Sequence, residues 1–404
     1  ESRGLGDVYK RQTIDMAVKI LSVDDELDLE VLLTQYFRRQ IRKGEYEFAF
    51  AHNGLEALQK LLETPDFDII LSDINMPEMD GLTLLAKVNE LKNPAMKCIM
   101  VSAYGDMDNI RSAMNKGAFD FATKPIDLDD LSRTIEKAIE QVRYIRESQQ
   151  EHNQLESIKN DLAIAGEIQQ TILPRSFPPF PELTEVVDIY ASMTPAKDVG
   201  GDFYDFFQID DERIGLVIAD VSGKGVPASL FMAVSRTLLR ATALRGVSSA
   251  ECLTYANKLL CKESLDSMFV TVFYGIYHYK TGMMDYTNAG HNPPYLLRGG
   301  RTVECLPVAS NFVVGVFDDI EFESNTLTFG IGDTLLLYTD GVTEAFNDKR
   351  EQFSESNLQD ILASMHESSS AKEVVTSVLQ SVKTFSGDYP QSDDITLLSL
   401  QRIK

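Results

Sequence analysis

One uninterrupted helical run limits what this chain can fold into. From Asp127 to Leu173 the sequence reads DLDDLSRTIEKAIEQVRYIRESQQEHNQLESIKNDLAIAGEIQQTIL, with no internal proline and a single glycine, Gly166. Proline is the residue that breaks helix interiors, so a helix capped by Asp127 meets nothing here to stop it. A helix of that length seldom sits inside one globular core. It divides the 404 residues into a segment at 17–126, a connector at 127–178 and a segment at 182–404. Pro174 and the FPPFP of 177–181 close the run. Leu155, Ile158, Leu162, Ala165, Gln169 and Ile172 recur three and four apart, the seam of a two-stranded coiled coil. The expectation is a homodimer joined through the connector; a single helix docked on one domain is the alternative. Residues 1–16 carry no apolar period up to the first strand and read as a disordered tail or a junction artefact.

Composition narrows the partners. The formal net charge of −24 repels phosphate backbones, so nucleic acid is not expected. No apolar run reaches membrane-spanning length, and no secretory signal is visible, so the expectation is a cytoplasmic protein without a membrane anchor. The four cysteines, Cys98, Cys252, Cys261 and Cys305, show no paired spacing and read as thiols of a reducing compartment.

Strand-like and helix-like runs alternate in 17–126. AVKILSV, YEFAFA, FDIILSD, KCIMVSA and the short run from Phe119 to Thr123 read as five strands, with helices in the gaps and Asn53 capping one of them. Such alternation predicts a doubly wound α/β domain with a five-stranded parallel sheet. Chemistry gathers at the carboxyl ends of such strands. Those ends carry Asp24 and Asp25, then Asp73, then Ser102, then Lys124 before Pro125. Three clustered acids repel unless a cation joins them, which implies Mg2+. Asp73, between a metal and an ammonium, is placed to attack a phosphoryl donor as a carboxylate nucleophile.

DD at 24–25, SDINMPEMDG at 72–81, VSA at 101–103 and TKP at 123–125 make this segment resemble a two-component receiver domain. The resemblance implies a flavodoxin-like fold, with Asp73 as phosphoacceptor. Asp24 and Asp25 bind Mg2+ together with Asp73. Ser102 and Lys124 sense the phosphoryl group, and Phe121 holds the place of the switch aromatic. It also implies a sensor histidine kinase as partner.

From 182 onward strands dominate: VVDIYAS, DFYDFFQ, RIGLVIAD, MFVTVFYGIYH, MMDYTNA, PYLLRG, DTLLLYTD and DITLLSL. Helices are expected at 226–244, 249–264, 354–366 and 371–385. Two packed sheets covered by helices are the expectation. Four acids stand at strand ends, in VGGD (Asp202), IADVSGKG (Asp220), YTDG (Asp340) and SDDIT (Asp393), and glycines flank the first two. Carboxylates so placed can hold hard cations, and a pair of divalent ions would make this half a metal-assisted hydrolase.

These motifs, with AIAGEIQQTILP at 163–174 and NAGHNPP at 288–294, resemble the PPM metal-dependent serine/threonine phosphatases in their SpoIIE/RsbU-type branch. The resemblance implies an α/β/β/α sandwich binding two Mn2+ or Mg2+ ions. Asp220 bridges the ions with the Val221 backbone beside it. Asp202 and Asp340 bind individual ions, and Asp393 completes the set, with Asp394 its adjacent rival. Lys197 stands where some relatives have a phosphate-binding arginine; a surface lysine is the alternative. His291 is either a proton donor or a loop histidine bonded to backbone. The family's usual substrate implies a phosphorylated STAS-domain anti-sigma factor antagonist as partner.

The sequence therefore predicts a response regulator whose output is a phosphoserine/phosphothreonine phosphatase, controlled by phosphorylation of Asp73. A catalytically silent phosphatase-like binding module is the alternative. A receiver-linked nucleotide cyclase is a weaker one, because Phe203 in GGDF replaces the second acid of the cyclase signature. A DNA-binding regulator is disfavoured by the charge and by the lack of a basic recognition helix.

Overall fold

The computed structural model describes residues 17–103, 105–263, 268–299, 302–307, 311–366 and 368–404. The expected tail at 1–16 lies outside the described residues. The chain divides into two compact units, 1–157 and 158–404.

The N-terminal unit has five strands, β1 (Val18–Val23), β2 (Tyr46–Ala51), β3 (Ile69–Asp73), β4 (Lys97–Ala103) and β5 (Asp120–Lys124). All pairings are parallel, in the order β2-β1-β3-β4-β5. The helices α1 (Leu27–Tyr36), α2 (Arg38–Lys43), α3 (Gly54–Glu63), α4 (Gly81–Glu90) and α5 (Met107–Asn115) fill the gaps. Alternate strand residues face opposite sides. Leu21, Ile70 and Met100 therefore pack on one side, and Ile20, Leu71 and Ile99 on the other. Asn53 caps α3 by accepting a hydrogen bond from the Glu56 N–H, 2.8 Å.

The long helix, α6, runs Leu128–Ile172. The Asp127 carboxylate accepts from the Asp129 and Asp130 N–H groups at its start. Its first turns belong to the N-terminal core: Leu131, Ile135, Ala138 and Ile139 pack with Ile20 and Leu33. The helix thus supplies the receiver-like sheet with part of its apolar cover before continuing as a connector. Farther on, Leu155 and Ile158 are exposed. Gln169, placed on the dimer seam from spacing alone, is instead buried by a contact inside the C-terminal unit. A long amide satisfied by nearby backbone has no reason to face a partner helix.

The C-terminal unit holds two antiparallel five-stranded sheets. One has the order β13-β10-β9-β8-β7 and the other β12-β11-β14-β15-β6. The first joins β7 (Phe203–Gln208), β8 (Arg213–Val221), β9 (Val270–His278), β10 (Met283–Ala289) and β13 (Asn325–Thr328). The second joins β6 (Val187–Thr194), β11 (Tyr295–Arg298), β12 (Thr302–Cys305), β14 (Thr334–Tyr338) and β15 (Ile395–Arg402). Leu335, Leu337, Leu398 and Leu400 face the core shared with Leu216 and Ile218. Their neighbours Leu336, Tyr338 and Leu397 face outward against Leu358, Val375 and Val378. Those last residues come from α10 (Ser354–Ala363) and α11 (Ala371–Ser386); α7 (Val226–Ala243) and α8 (Ser249–Glu263) cover the other sheet, while the single turn α9 (Asp340–Thr343) follows β14. The layers are helix, sheet, sheet, helix. The short strands β12 and β13 and the single turn α9 are the elements not expected from the sequence.

Candidate active site

In the N-terminal unit, the parallel sheet brings the strand ends to one rim. Among the described residues, Asp24, Asp25 and Asp73 are the one group of three whose carboxylate oxygens all lie within 4.8 Å of one another. Asp24 and Asp73 are buried and Asp25 is exposed. The Lys124 ammonium reaches Asp73 Oδ2 at 2.9 Å and Asp24 Oδ2 at 3.0 Å, and also Glu26 Oε1 at 2.9 Å. Burial pushes the Asp73 carboxyl up against the opposing pull of Lys124. For Lys124, burial disfavours the charge, but the hydrogen bonds it donates to the acids hold its pKa above the ordinary range. The Ser102 hydroxyl is fully buried and without a hydrogen-bond partner among the described residues. A buried hydroxyl left open beside an acid-and-ammonium rim fits a group bearing acceptor oxygens. Phe121 is half-buried and packs on the core beside β4. Glu26 is the participant that sequence reasoning missed; its position directly after the DD pair was the available signal.

In the C-terminal unit, antiparallel register does the assembling. Phe203 at the start of β7 lies opposite Ala219 near the end of β8, so Asp202 and Asp220 meet at one sheet end. Tyr338 at the end of β14 lies opposite Leu397 near the start of β15, which places Asp340 and the Asp393-Asp394 pair together. Asp202 therefore enters its strand rather than ending it. Asp202 and Asp394 are buried, while Asp220, Asp340 and Asp393 are half-buried. No three of these acids share the tight 4.8 Å grouping of the N-terminal trio. Ligands of a binuclear centre are distributed over two ions about 3.5–4 Å apart, so a wider spread suits two ions.

Electrostatics shows how closely the acids feel one another. Burial pushes Asp220 up to about 7, with the Asp340 charge next in weight and those of Asp393 and Asp394 adding to it. Burial, then the charges of Asp220 and Asp394, raises Asp202 well above the carboxylate range. Burial and the Asp393 charge raise Asp340. Among the described residues, the Lys224 ammonium answers them. Lys224 Nζ lies 2.8 Å from Asp393 Oδ2 and donates to the Ser392 carbonyl at 2.7 Å. Desolvation works against its charge, yet the Asp393 hydrogen bond and neighbouring acids hold its pKa up. Gly223 and Gly225, at φ of 92° and 79°, make the left-handed turns that swing Lys224 back over the acids. Hard oxygen donors in excess of nearby positive charge fit divalent cations.

Asp393 and Asp394 separate by their partners. Asp394 is consumed by backbone: Oδ1 accepts from Ala196 N–H (2.8 Å) and Oδ2 from Gly201 N–H (2.6 Å) and Asp202 N–H (3.4 Å). Asp393 faces Lys224 and the other acids. Thr339 donates to Asp202 Oδ2 at 2.7 Å and itself accepts from Thr396 N–H at 3.0 Å. Val221 is buried beside Asp220, and its carbonyl lies 3.0 Å from where a Cβ on Gly201 would stand. Lys197 is exposed on the loop before Val199; the ammonium at the acids belongs to Lys224, which the sequence reading passed over inside GKG. His291 is buried, with Nδ1 2.9 Å from the Thr271 hydroxyl and its N–H donated to Asn288 Oδ1. Burial pushes its pKa down to about 3, so near neutral pH it has no second proton to give. Its ring is held by the Thr271 hydroxyl, and Thr271 in turn reaches the Asp220 carbonyl at 3.4 Å.

Comparison with known proteins agrees with both halves. The family model described as Stage II sporulation protein E (SpoIIE) matches residues 210–403, and that of the response regulator receiver domain matches residues 20–136. Phosphoserine phosphatase RsbU of Bacillus subtilis (strain 168) is 33% identical over 258 residues, covering 63% of this chain and 74% of RsbU. Phosphoserine phosphatase RsbP of the same organism is 29% identical over 190 residues, 46% of this chain and 46% of RsbP, so this chain spans under half of that relative. The SiaA-PP2C domain of Pseudomonas aeruginosa matches with a TM-score of 0.54 at 22% sequence identity, covering 61% of this chain and 98% of that one; it speaks to the fold alone. Two antiparallel sheets between helix layers, acids at the sheet ends and the match to most of RsbU lead to one conclusion. The chain belongs to the SpoIIE family of PPM-type phosphatases and carries a response regulator receiver domain ahead of its phosphatase domain.

Proposed function

We propose that this protein is a two-component response regulator whose output is a metal-dependent phosphoserine/phosphothreonine protein phosphatase. The observation that carries the reading is that strand register gathers Asp202, Asp220, Asp340 and Asp393 at the sheet ends, with Lys224 paired to Asp393 beside them. Burying like charges is costly unless cations compensate them. Asp220, Asp202, Asp340, Asp393 and the Val221 carbonyl would hold two Mn2+ or Mg2+ ions, which supply a water acidified for attack on phosphorus. The chain's own residues do the positioning. Thr339 fixes the Asp202 carboxylate, Asp394 fixes the backbone that carries it, and Lys224 sets Asp393. No covalent enzyme intermediate is required. The cyclase reading loses its ground, because Phe203 of GGDF is fully buried in the core. Nothing in the acid set favours a silent binding module, since each acid of the motif set is retained.

In the receiver, Asp73 accepts the phosphoryl group from a sensor histidine kinase. Asp24 and Asp25 hold Mg2+ with it, Lys124 and Ser102 meet the phosphoryl oxygens, and Phe121 responds. The protein substrate is a phosphorylated STAS-domain anti-sigma factor antagonist, a reading supported by the likeness to RsbU and RsbP. Exposed Leu155 and Ile158 on α6 support a homodimer through the connector. Among the described residues no helix is long and apolar enough to cross a membrane. The test compares phosphate release from a phosphoserine protein by wild type and Asp73→Asn, each with and without a small phosphodonor. Wild type alone should respond to the donor; equal rates in all four conditions would refute control through Asp73. Capture with Asp220→Asn, which does not turn over a bound phosphoprotein, identifies the substrate.

A further inference from the structure

The segment that delivers Asp202 has no strand partner of its own. Residues 195–202 lie between β6 and β7 in irregular backbone. Two side chains from distant parts of the chain hold it. On one side is Asp394, accepting from Gly201 and Asp202 N–H groups. On the other is Gln169, from the last turn of α6. Its Nε2 donates to the Gly200 carbonyl at 2.5 Å, and its Oε1 accepts from the Gly200 N–H at 2.9 Å. One buried amide satisfies both polar groups of one residue, as a neighbouring strand would. Three residues earlier on α6, a Cβ on Gly166 would stand 2.2 Å from the Asp198 carbonyl oxygen, so that turn rests directly on the segment. Gly200 has no slack either: a Cβ there would lie 2.5 Å from Asp394 Oδ2 and 2.6 Å from Met193 Cε.

We propose that Gln169 is a positioning residue for Asp202. It fixes the backbone two residues ahead of that carboxylate, and the site's grip on its cations depends on the seating of the end of α6. The inference rests on the reading of Asp202 as a cation ligand, and it adds a regulatory consequence. The helix that begins at Leu128 in the N-terminal unit ends on the segment carrying a ligand of the C-terminal site. Groups that orient metal ligands from behind change metal affinity by about 10–100-fold when removed.

The experiment is Mn2+ calorimetry on the full chain, with Asp220→Asn supplying the heat due to the receiver alone. Gln169→Met keeps the side chain's length and loses both hydrogen bonds. The expected result is a Mn2+ Kd at the phosphatase site raised about 10–100-fold, alongside a lower unfolding midpoint in chelator because the buried Gly200 N–H and carbonyl lose their partners. Gln169→Glu keeps the acceptor for the Gly200 N–H and loses the donor, and should fall between the two; it also serves if Gln169→Met does not fold. An unchanged Kd in the folded variants overturns the proposal while leaving the site reading intact. Wild-type uptake no greater than that of Asp220→Asn overturns both, and so separates the two failures.

Discussion

Adjacent aspartates can have unrelated duties, and 393–394 is such a pair. Asp394 spends both oxygens on three backbone N–H groups, whereas Asp393 faces Lys224 and Asp340. Asp394→Ala should cost about 1–3 kcal/mol or more in chelator, because buried donors lose their acceptor. Asp393→Ala should leave stability in chelator unchanged or higher, by relieving repulsion, while abolishing Mn2+-dependent turnover. Urea midpoints and phosphate release measured on both variants check this; equal stability losses would contradict it. His291 gives a pH prediction. Its folded pKa of about 3 lies below the ordinary histidine value of 6.5. Below about 6.5 the unfolded chain takes up a proton that the folded chain refuses, so stability falls as pH drops towards 3, by at most about 1.4 kcal/mol per unit. His291→Gln should flatten that slope in urea titrations between pH 7 and 5; an identical slope would contradict the burial argument.

Elements place these residues through register. The alternating pattern of 17–126 was enough to specify five parallel strands, and the apolar runs after 182 located eight of the ten strands among the described residues there. The two missed strands, Thr302–Cys305 and Asn325–Thr328, have only four residues each; so short a run offers no period to detect. Candidate ligands were legible because acids at either end of an apolar run stand out. Their supports were not. Gln169 and Asp394 act on backbone, and Thr339 on a carboxylate, that only folding brings close. Spacing alone put Gln169 on a dimer seam, since periodicity reports a face and not what covers it. Another such support is Asp205 of β7, buried beneath α7 and paired with Arg236 and Arg240 at 3.0 Å. Its removal strands two guanidinium groups. A broken buried pair costs about 3–5 kcal/mol, and the lower end applies because Arg240 is part-exposed. Asp205→Ala should show that loss in the urea transition of the C-terminal unit, and a loss below about 1 kcal/mol would refute the coupling of strand to helix.

At the scale of the molecule, two acid-lined sites occupy two separately packed units joined in sequence by one helix. The net charge of −24 makes both sites depend on cations for their local balance. Chelation should therefore lower the unfolding midpoint of each unit, and Mn2+ at about 100 times its Kd should return about 2.7 kcal/mol to the occupied unit. The central claim is that the C-terminal acids form a phosphatase centre. Release of inorganic phosphate from a phosphoserine protein, measured in Mn2+ with wild type and Asp220→Asn side by side, tests it most directly. Turnover by wild type, its loss in chelator and a fall of at least about 100-fold in Asp220→Asn are expected. Equal release by the two proteins, or release unaffected by chelator, would contradict it.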